Sequence, residues 1–239
     1  IAPLDAEDLK GKVKVINGDI RNFDAIEKAI ENHAYVVHAA AALPIQRTKQ
    51  AIYSVNIDGT QNVLKAAKHH LVKRVVFIST TAVYGVPKHL PEREDSPLDP
   101  IGYYGESKVA AEKLCLSYDT EGLETNIIRP KTFLGPERLG VFSLWFEAMY
   151  NGHRIFILGN GNNEYQLLAV KDVVDAIYRA LTKPVHGQIY NIGAKTFQTW
   201  RKDLEGIIKE ANSTSRVTGL PVTLSQIALR TLETLKLSP

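Results

Sequence analysis

Tyr104 and Lys108 stand four residues apart in the stretch IGYYGESK (101–108). Residues four apart on a helix are rotated by only about 40° and sit one turn apart. The neighbouring Tyr103 is five residues from Lys108 and points roughly 140° away from it. Tyr104 is therefore the tyrosine with a lysine partner. A free tyrosine has a pKa of about 10 and is a poor base near neutrality. A nearby ammonium favours the phenolate and lowers that pKa. Such a group can take a proton from an alcohol while a hydride leaves the same carbon. An aromatic ring resting on a lysine stem is the structural alternative. Upstream, FISTTAVYG (77–85) sets Ser79, Thr80 and Thr81 just after an apolar run. If that run is a buried strand, these hydroxyls lie where ligands bind in open α/β sheets. There, a hydroxyl can orient a substrate oxygen toward Tyr104. Its structural alternative is a strand-end hydroxyl bonded to its own backbone.

The elements that must hold these groups alternate along the chain. VKVIN (13–17), YVVHA (35–39), RVVFIST (74–80) and TNIIRP (125–130) are short, β-rich runs expected as buried parallel strands. Between them, 24–33, a long segment around 48–70, and 104–120 show apolar positions three and four apart, as one-sided helices do. This alternation predicts a doubly wound α/β sheet. Beyond about residue 130, Pro130, Gly135, Pro136 and Gly140 break the pattern. Helices are expected at 141–152 and 171–183, a strand at 187–193, and a helical tail at 224–239. The expected division is a dinucleotide-type core over 1–130 and a mixed segment over 131–239. The latter is mainly a smaller substrate lobe, with elements from about 165–193 returning to the core.

Composition narrows the function classes. Hydrophobic residues make up 44% of 239 and charged residues 23%, and the net charge is +3 with no basic block, so a nucleic-acid partner is not expected. The longest apolar-leaning run (34–45) contains His38 and falls short of the roughly 20 residues of a membrane span. One cysteine, Cys115, allows no internal disulfide and suits a reducing, cytoplasmic setting. No metal site is expected. None of the 16 glycines has the G-x-G-x-x-G spacing that holds a pyrophosphate at a helix N-terminus; Gly102 and Gly105 are three apart, and Lys108 rather than a further glycine follows them at the same interval. The first residue is Ile rather than Met, so the chain is expected to begin inside a longer gene product, and the first βαβ unit is either missing from this chain or was never part of the protein.

With GDIRN (18–22), VVHAAA (36–41), NIDGTQNVL (56–64), STTAVYG (79–85), YGESK (104–108), IIRPKTFLGP (127–136), GNGNN (159–163), VKDVVDAI (170–177) and YNIG (190–193) in this order, the chain resembles an extended short-chain dehydrogenase/reductase. Within that superfamily the resemblance is to the NAD-dependent epimerase/dehydratase group. It implies a Rossmann-like sheet, incomplete at its N-terminus, and NAD as cofactor, with NADP open because the discriminating second strand is absent. Tyr104 would be the acid/base. Lys108 would lower its pKa and hold the nicotinamide ribose, and Thr80 would bind the reacting oxygen, with Thr81 beside it. Asp19 and Ile20 would meet the adenine, Ala39, Ala40 and Ala41 would lie along the cofactor, and Pro130 would lie near the nicotinamide. Asn56 is expected to be structural. Thr132, where the family often has Asn, would touch substrate.

The resemblance implies oxidation of a hydroxyl carbon, most simply in a sugar-nucleotide epimerase acting on a small-molecule substrate. A 4,6-dehydratase is disfavoured, since Thr81-Ala82 replaces the acidic residues that drive water loss. The stretch after GNG lacks the diphosphate-binding arginine and contains Glu164, with Arg154 and Arg201 as stand-ins. Those departures keep open a reductase of a non-sugar ketone, such as a hydroxysteroid- or flavonol-like substrate. A non-catalytic NAD-binding module, or a fragment unable to hold cofactor, is the alternative from another class. A homodimer through helices at about 48–70 and 104–120 is the family's habit.

Overall fold

The structure, a computed structural model, describes residues 11–43, 48–136 and 142–223. The expected helical tail at 224–239 lies outside the described residues. Helix α1 (Phe23–Ile30) is capped by the Asn22 side chain and leads to strand β1 (Tyr35–His38). The next helical stretch is α2 (Lys49–Tyr53), a single π turn (Ser54–Asp58) and α3 (Gly59–His69). Strand β2 (Arg74–Ile78), a 3₁₀ turn (Thr81–Tyr84), helix α4 (Gly102–Thr120) and strand β3 (Glu124–Pro130) follow. Then come β4 (Phe133–Leu134), α5 (Ser143–Tyr150), β5 (Ile155–Leu158), β6 (Glu164–Tyr165), β7 (Leu168–Ala169) and α6 (Val170–Thr182). The described part ends with β8 (Gln188–Ile192), β9 (Gln198–Thr199), α7 (Trp200–Glu210) and β10 (Val217–Leu220).

Strands β1, β2, β3 and β8 form one parallel sheet in that order. The two central strands explain the Val/Ile runs, because both of their faces are covered. Val75, Phe77 and Ile127 pack with α3 and α4 residues Val63, Leu64, Ala67, Ala111 and Cys115. Val76 and Ile128 meet α6 through Ala180 on the other face. Strand β8 returns from the second half of the chain to extend the sheet, pairing Ile192 with Pro130. A separate cluster of Met149, Ile155, Ile157, Leu204 and Ile208 joins α5, β5 and α7. No helix among the described residues is long and apolar enough to cross a membrane.

One expected strand is not found. Residues 13–17 are irregular and exposed, with Val13, Val15 and Ile16 each about half accessible or more. A strand exists only by pairing its backbone groups, and among the described residues no strand pairs with this run. Among the described residues no strand pairs with the outer edge of β1 either, and its Tyr35 and Val37 are exposed. The segment is instead tied down just beyond this run, where the Asn62 amide donates to the carbonyls of Ile20 and Arg21 at 3.1 and 3.0 Å.

Candidate active site

The parallel register brings the C-terminal ends of β1, β2 and β3 side by side, with His38 opposite Phe77 and Ile78 opposite Ile128. Just past those ends lie Ala39 to Ala41, Ser79 to Thr81, and Pro130. Ala39, Ala40 and Ala41 are exposed, a row of small side chains that leaves room beside the strand end. Helix α4 begins at the same end. Gly105 lets its first turn come close, since a Cβ there would lie 2.7 Å from Pro100 Cβ and 3.1 Å from the Ala82 carbonyl.

Lys108 is buried on α4, and its Nζ donates to the Ile78 carbonyl at 2.7 Å while lying 4.0 Å from the centre of the Phe77 ring. Burial pulls its pKa down to about 8, against the favourable pull of Cys115 and Glu112. The ammonium therefore survives at neutral pH, with donors left after the one spent on Ile78. Tyr104 is half-buried one turn earlier on the same face. Tyr103 is exposed and meets the Tyr53 ring edge-on at 6.3 Å.

Adjacent hydroxyls diverge as strand alternation requires. Ser79 is buried and donates to Glu112 Oε1 at 2.5 Å. Thr80 is half-buried and extended, and its Oγ1 accepts from the Ala82 amide at 3.2 Å, capping the 3₁₀ turn that Thr81 opens. That leaves the Thr80 hydroxyl proton available for another acceptor. Gly85 ends this turn at φ 69°, and a side chain there would run into the Asp99 carbonyl.

Below this end lies a polar network that the sequence did not reveal. Arg129 donates to both Glu112 oxygens, at 2.9 and 2.7 Å, and to the Tyr84 hydroxyl at 2.6 Å. Tyr84 in turn donates to Asn191 Oδ1 at 2.8 Å. Two signals pointed here: Glu112 is one further turn along from Lys108, and Arg129 interrupts an apolar strand. Asn56 is buried and structural. It exchanges hydrogen bonds with the Ala42 backbone at 2.7 and 3.1 Å and donates to Ser107 at 2.9 Å, joining the loop after β1 to α4.

The remaining candidates lie at the margins. Asp19 is exposed and takes hydrogen bonds from the Arg21 side chain and amide, which lower its carboxyl to about 2. Ile20 packs against the core beneath Gly59. Thr132 sits 2.6 Å from the Tyr165 hydroxyl and lines a cavity of about 330 Å³ with Phe142, Trp145, Asn163, Tyr165 and Trp200. Arg201 is engaged with the Asn160 carbonyl at 2.6 Å and with Glu205. The structure thus groups Thr80, Thr81, Lys108, Tyr104 and Pro130 at one end of the sheet, while Ile20 rests against α3, Asp19 stays exposed beside Arg21 and Thr132 faces the aromatic cavity.

The chain is similar to known proteins. The profile of the NAD dependent epimerase/dehydratase family matches residues 3–193. An uncharacterised protein, y4nG, of Sinorhizobium fredii is 34% identical over 95% of this chain and 57% of its own length. A dTDP-glucose 4,6-dehydratase of Streptomyces niveus is 31% identical over 84% of this chain and 61% of its own length. The chain therefore spans about three fifths of these two relatives. The solved UDP-glucose 4-epimerase of Thermus thermophilus, in complex with NAD, superposes with a TM-score of 0.80 at 26% identity, over 92% of this chain and 76% of that one. From its ordered motifs, its parallel sheet and its family profile, the chain belongs to the NAD dependent epimerase/dehydratase family.

Proposed function

We propose that the intact protein is a nicotinamide-dependent sugar-nucleotide epimerase whose chemistry sits at the β2–α4 junction. The observation that carries this reading is the Lys108 side chain, buried, charged and locked to the Ile78 carbonyl two residues before Thr80. A buried ammonium is costly to keep and serves here as a fixed charge one turn from a tyrosine. Ala39 to Ala41, Pro130 and Lys108 fit the nicotinamide end of a dinucleotide: small groups, a rigid wall and a donor. Asp19 and Ile20 would meet the adenine end, with the Arg21 contact giving way. NAD is the expected cofactor. When bound, it supplies a hydride acceptor and donor.

The residues of this chain do the rest. Thr80 holds the reacting oxygen with its free hydroxyl proton, and Thr81 flanks it. Tyr104 takes the proton from the substrate hydroxyl as the carbon is oxidised and gives it back on reduction. Lys108 stabilises the phenolate form of Tyr104 and donates to the ribose. Thr132, in the second lobe, contacts the far part of the substrate. The core over 1–130 and the lobe over 131–239 would form the two sides of the cleft. The setting is the reducing cytoplasm, with pairing of two copies along the helices at 48–70 and 104–120.

The test is to incubate the full-length protein with NAD and individual UDP- and dTDP-sugars and to follow both product and cofactor. Interconversion of epimers without net NADH supports the proposal. Loss of water from the sugar would instead place the protein with its dehydratase relatives. The aromatic cavity around Thr132 favours a second reading, in which a flat apolar ketone is reduced. That activity would consume reduced cofactor stoichiometrically, so the same assay separates the two.

A further inference from the structure

The far end of the sheet carries a second group of ligating side chains. Helix α3 ends at His69, His70 follows, and both lie toward the N-terminal end of β2, away from Thr80. Glu27 on α1 reaches over to them, with its Oε1 2.7 Å from His69 Nδ1. The two imidazole rings are 4.9 Å apart and tilted by 47°. One ligand atom from each of Glu27, His69 and His70 lies within 4.8 Å of the other two.

A second observation singles out this cluster. His70 Nε2 is the one buried side-chain nitrogen or oxygen among the described residues that has no hydrogen-bond partner. Buried polar atoms are nearly always satisfied, and an exception calls for an explanation. In the tautomer that carries its proton on Nδ1, His70 Nε2 presents a lone pair that can ligate a metal. We propose that Glu27, His69 and His70 form a binding site for a zinc-type divalent cation, although no metal site is expected from the sequence.

The donor set selects the metal class. Two imidazoles and a carboxylate suit Zn²⁺, whereas Mg²⁺ and Ca²⁺ call for oxygen cages. Zinc binds such atoms at about 2.0–2.2 Å, which requires donors about 3.3 Å apart in a tetrahedron. The Glu27–His69 pair is already closer than that, so the cation replaces the proton they share. Side-chain rotation brings His70 in. The entry path is open, because the His69 side chain is 66% exposed and that of Glu27 31%. The carbonyl end of α3 favours a cation. The neighbouring Lys68 is drawn away to Glu121 at 2.6 Å, and Lys65 lies over the Phe23 ring. A bound ion would clamp α1 to α3 and so fix the segment that carries Asp19 and Ile20, without entering the reaction.

The experiment is a Co²⁺ titration of the intact, chelator-treated protein, followed by visible absorption and then displaced with Zn²⁺. The expected result is one saturable site per chain with a visible band of low-coordinate cobalt. Zn²⁺ should abolish the band and raise the Tm. His70→Gln and Glu27→Gln should each remove the band and weaken Zn²⁺ binding by on the order of tenfold or more, with far-UV circular dichroism unchanged. His153→Gln, at an exposed histidine elsewhere, should leave both readings intact. Absence of a saturable band, or a band that survives in folded Glu27→Gln and His70→Gln, would overturn the site.

Discussion

Glu112 and Arg129 form a two-point ion pair in which both side chains are almost wholly buried, 3% and 2% exposed. The pair joins α4 to β3, and through the Ser79 hydroxyl it also grips the end of β2. Three of the four elements that present the candidate site, α4, β2 and β3, are therefore referenced to one carboxylate. Removing one partner of a buried pair strands the other charge and costs about 3–5 kcal/mol. Glu112→Gln and Arg129→Met should each lower unfolding free energy by about that much in urea at pH 7. The double variant Glu112→Gln/Arg129→Met should be less damaged than the sum of the two singles. Strict additivity in the double-mutant cycle would show that the pair is not coupled.

Lys108 predicts a pH signature. Its pKa falls from 10.5 to about 8 in the folded protein, so the unfolded chain binds the extra proton between those values. Stability should rise with pH across that window, at up to about 1.4 kcal/mol per pH unit, and lie flat in this respect below pH 8. Lys108→Met should erase the rise. Turnover that depends on the ammonium has the opposite trend and should decline as pH climbs through about 8. An unchanged stability slope in Lys108→Met would mean that this lysine is charged and solvated over the whole range.

His38 acts at the acid end. Thr60 spends its hydroxyl proton on the Asn56 carbonyl at 2.7 Å, so His38 Nε2 must be the donor in its 2.8 Å contact with Thr60. Burial then holds the ring neutral, with the pKa lowered from 6.5 to about 3. The unfolded chain takes up a proton that the folded one refuses, so stability is lost as pH falls from about 6.5 toward 3. His38→Gln should reduce proton uptake on unfolding at pH 4–5 by close to one. Calorimetry in buffers of differing ionisation enthalpy measures this, and equal uptake in both proteins would contradict it.

For Tyr104 the expected outcome is a split between chemistry and binding. Tyr104→Phe in the full-length protein should lower kcat by about 10²–10⁴-fold and leave NAD affinity nearly unchanged. Lys108→Ala should weaken both. Turnover of wild-type size in Tyr104→Phe would remove Tyr104 from the mechanism.

The central strands and flanking helices were legible in sequence because their causes are local. Both faces of β2 and β3 are covered, which forces Val and Ile into most positions, and α1, α3 and α6 repeat their apolar residues at helical spacing. Residues 13–17 have the same composition yet make no strand, since pairing depends on a neighbour that no local pattern encodes. Helix α7 left a trace that passed unread: Thr199 accepts from the Lys202 amide as its cap, with Leu204 and Ile208 buried a turn apart. The π turn at Ser54–Asp58, inside an expected single helix, left none. In the site, helical spacing revealed the Tyr104–Lys108 face, and strand alternation separated Thr80 from Ser79. The Glu112–Arg129 contact joins residues on different elements and became visible only in three dimensions.

The spacing of Tyr104, Lys108 and Glu112 also sets what kind of genetic change this helix can absorb. The three residues follow one another at intervals of four along α4, so the proposed base, the buried lysine and the carboxylate of the Arg129 ion pair share one ruler. Substitutions on the outer face of α4 leave that ruler untouched. Loss or gain of a single codon between positions 104 and 112 would turn everything beyond it by about 100°, moving the carboxylate off Arg129 whatever residue was removed. Single-codon insertions and deletions should therefore be tolerated in the exposed stretch 86–90 and be lethal to activity once past the start of α4, a contrast that a scan of both kinds of change would display as a sharp boundary.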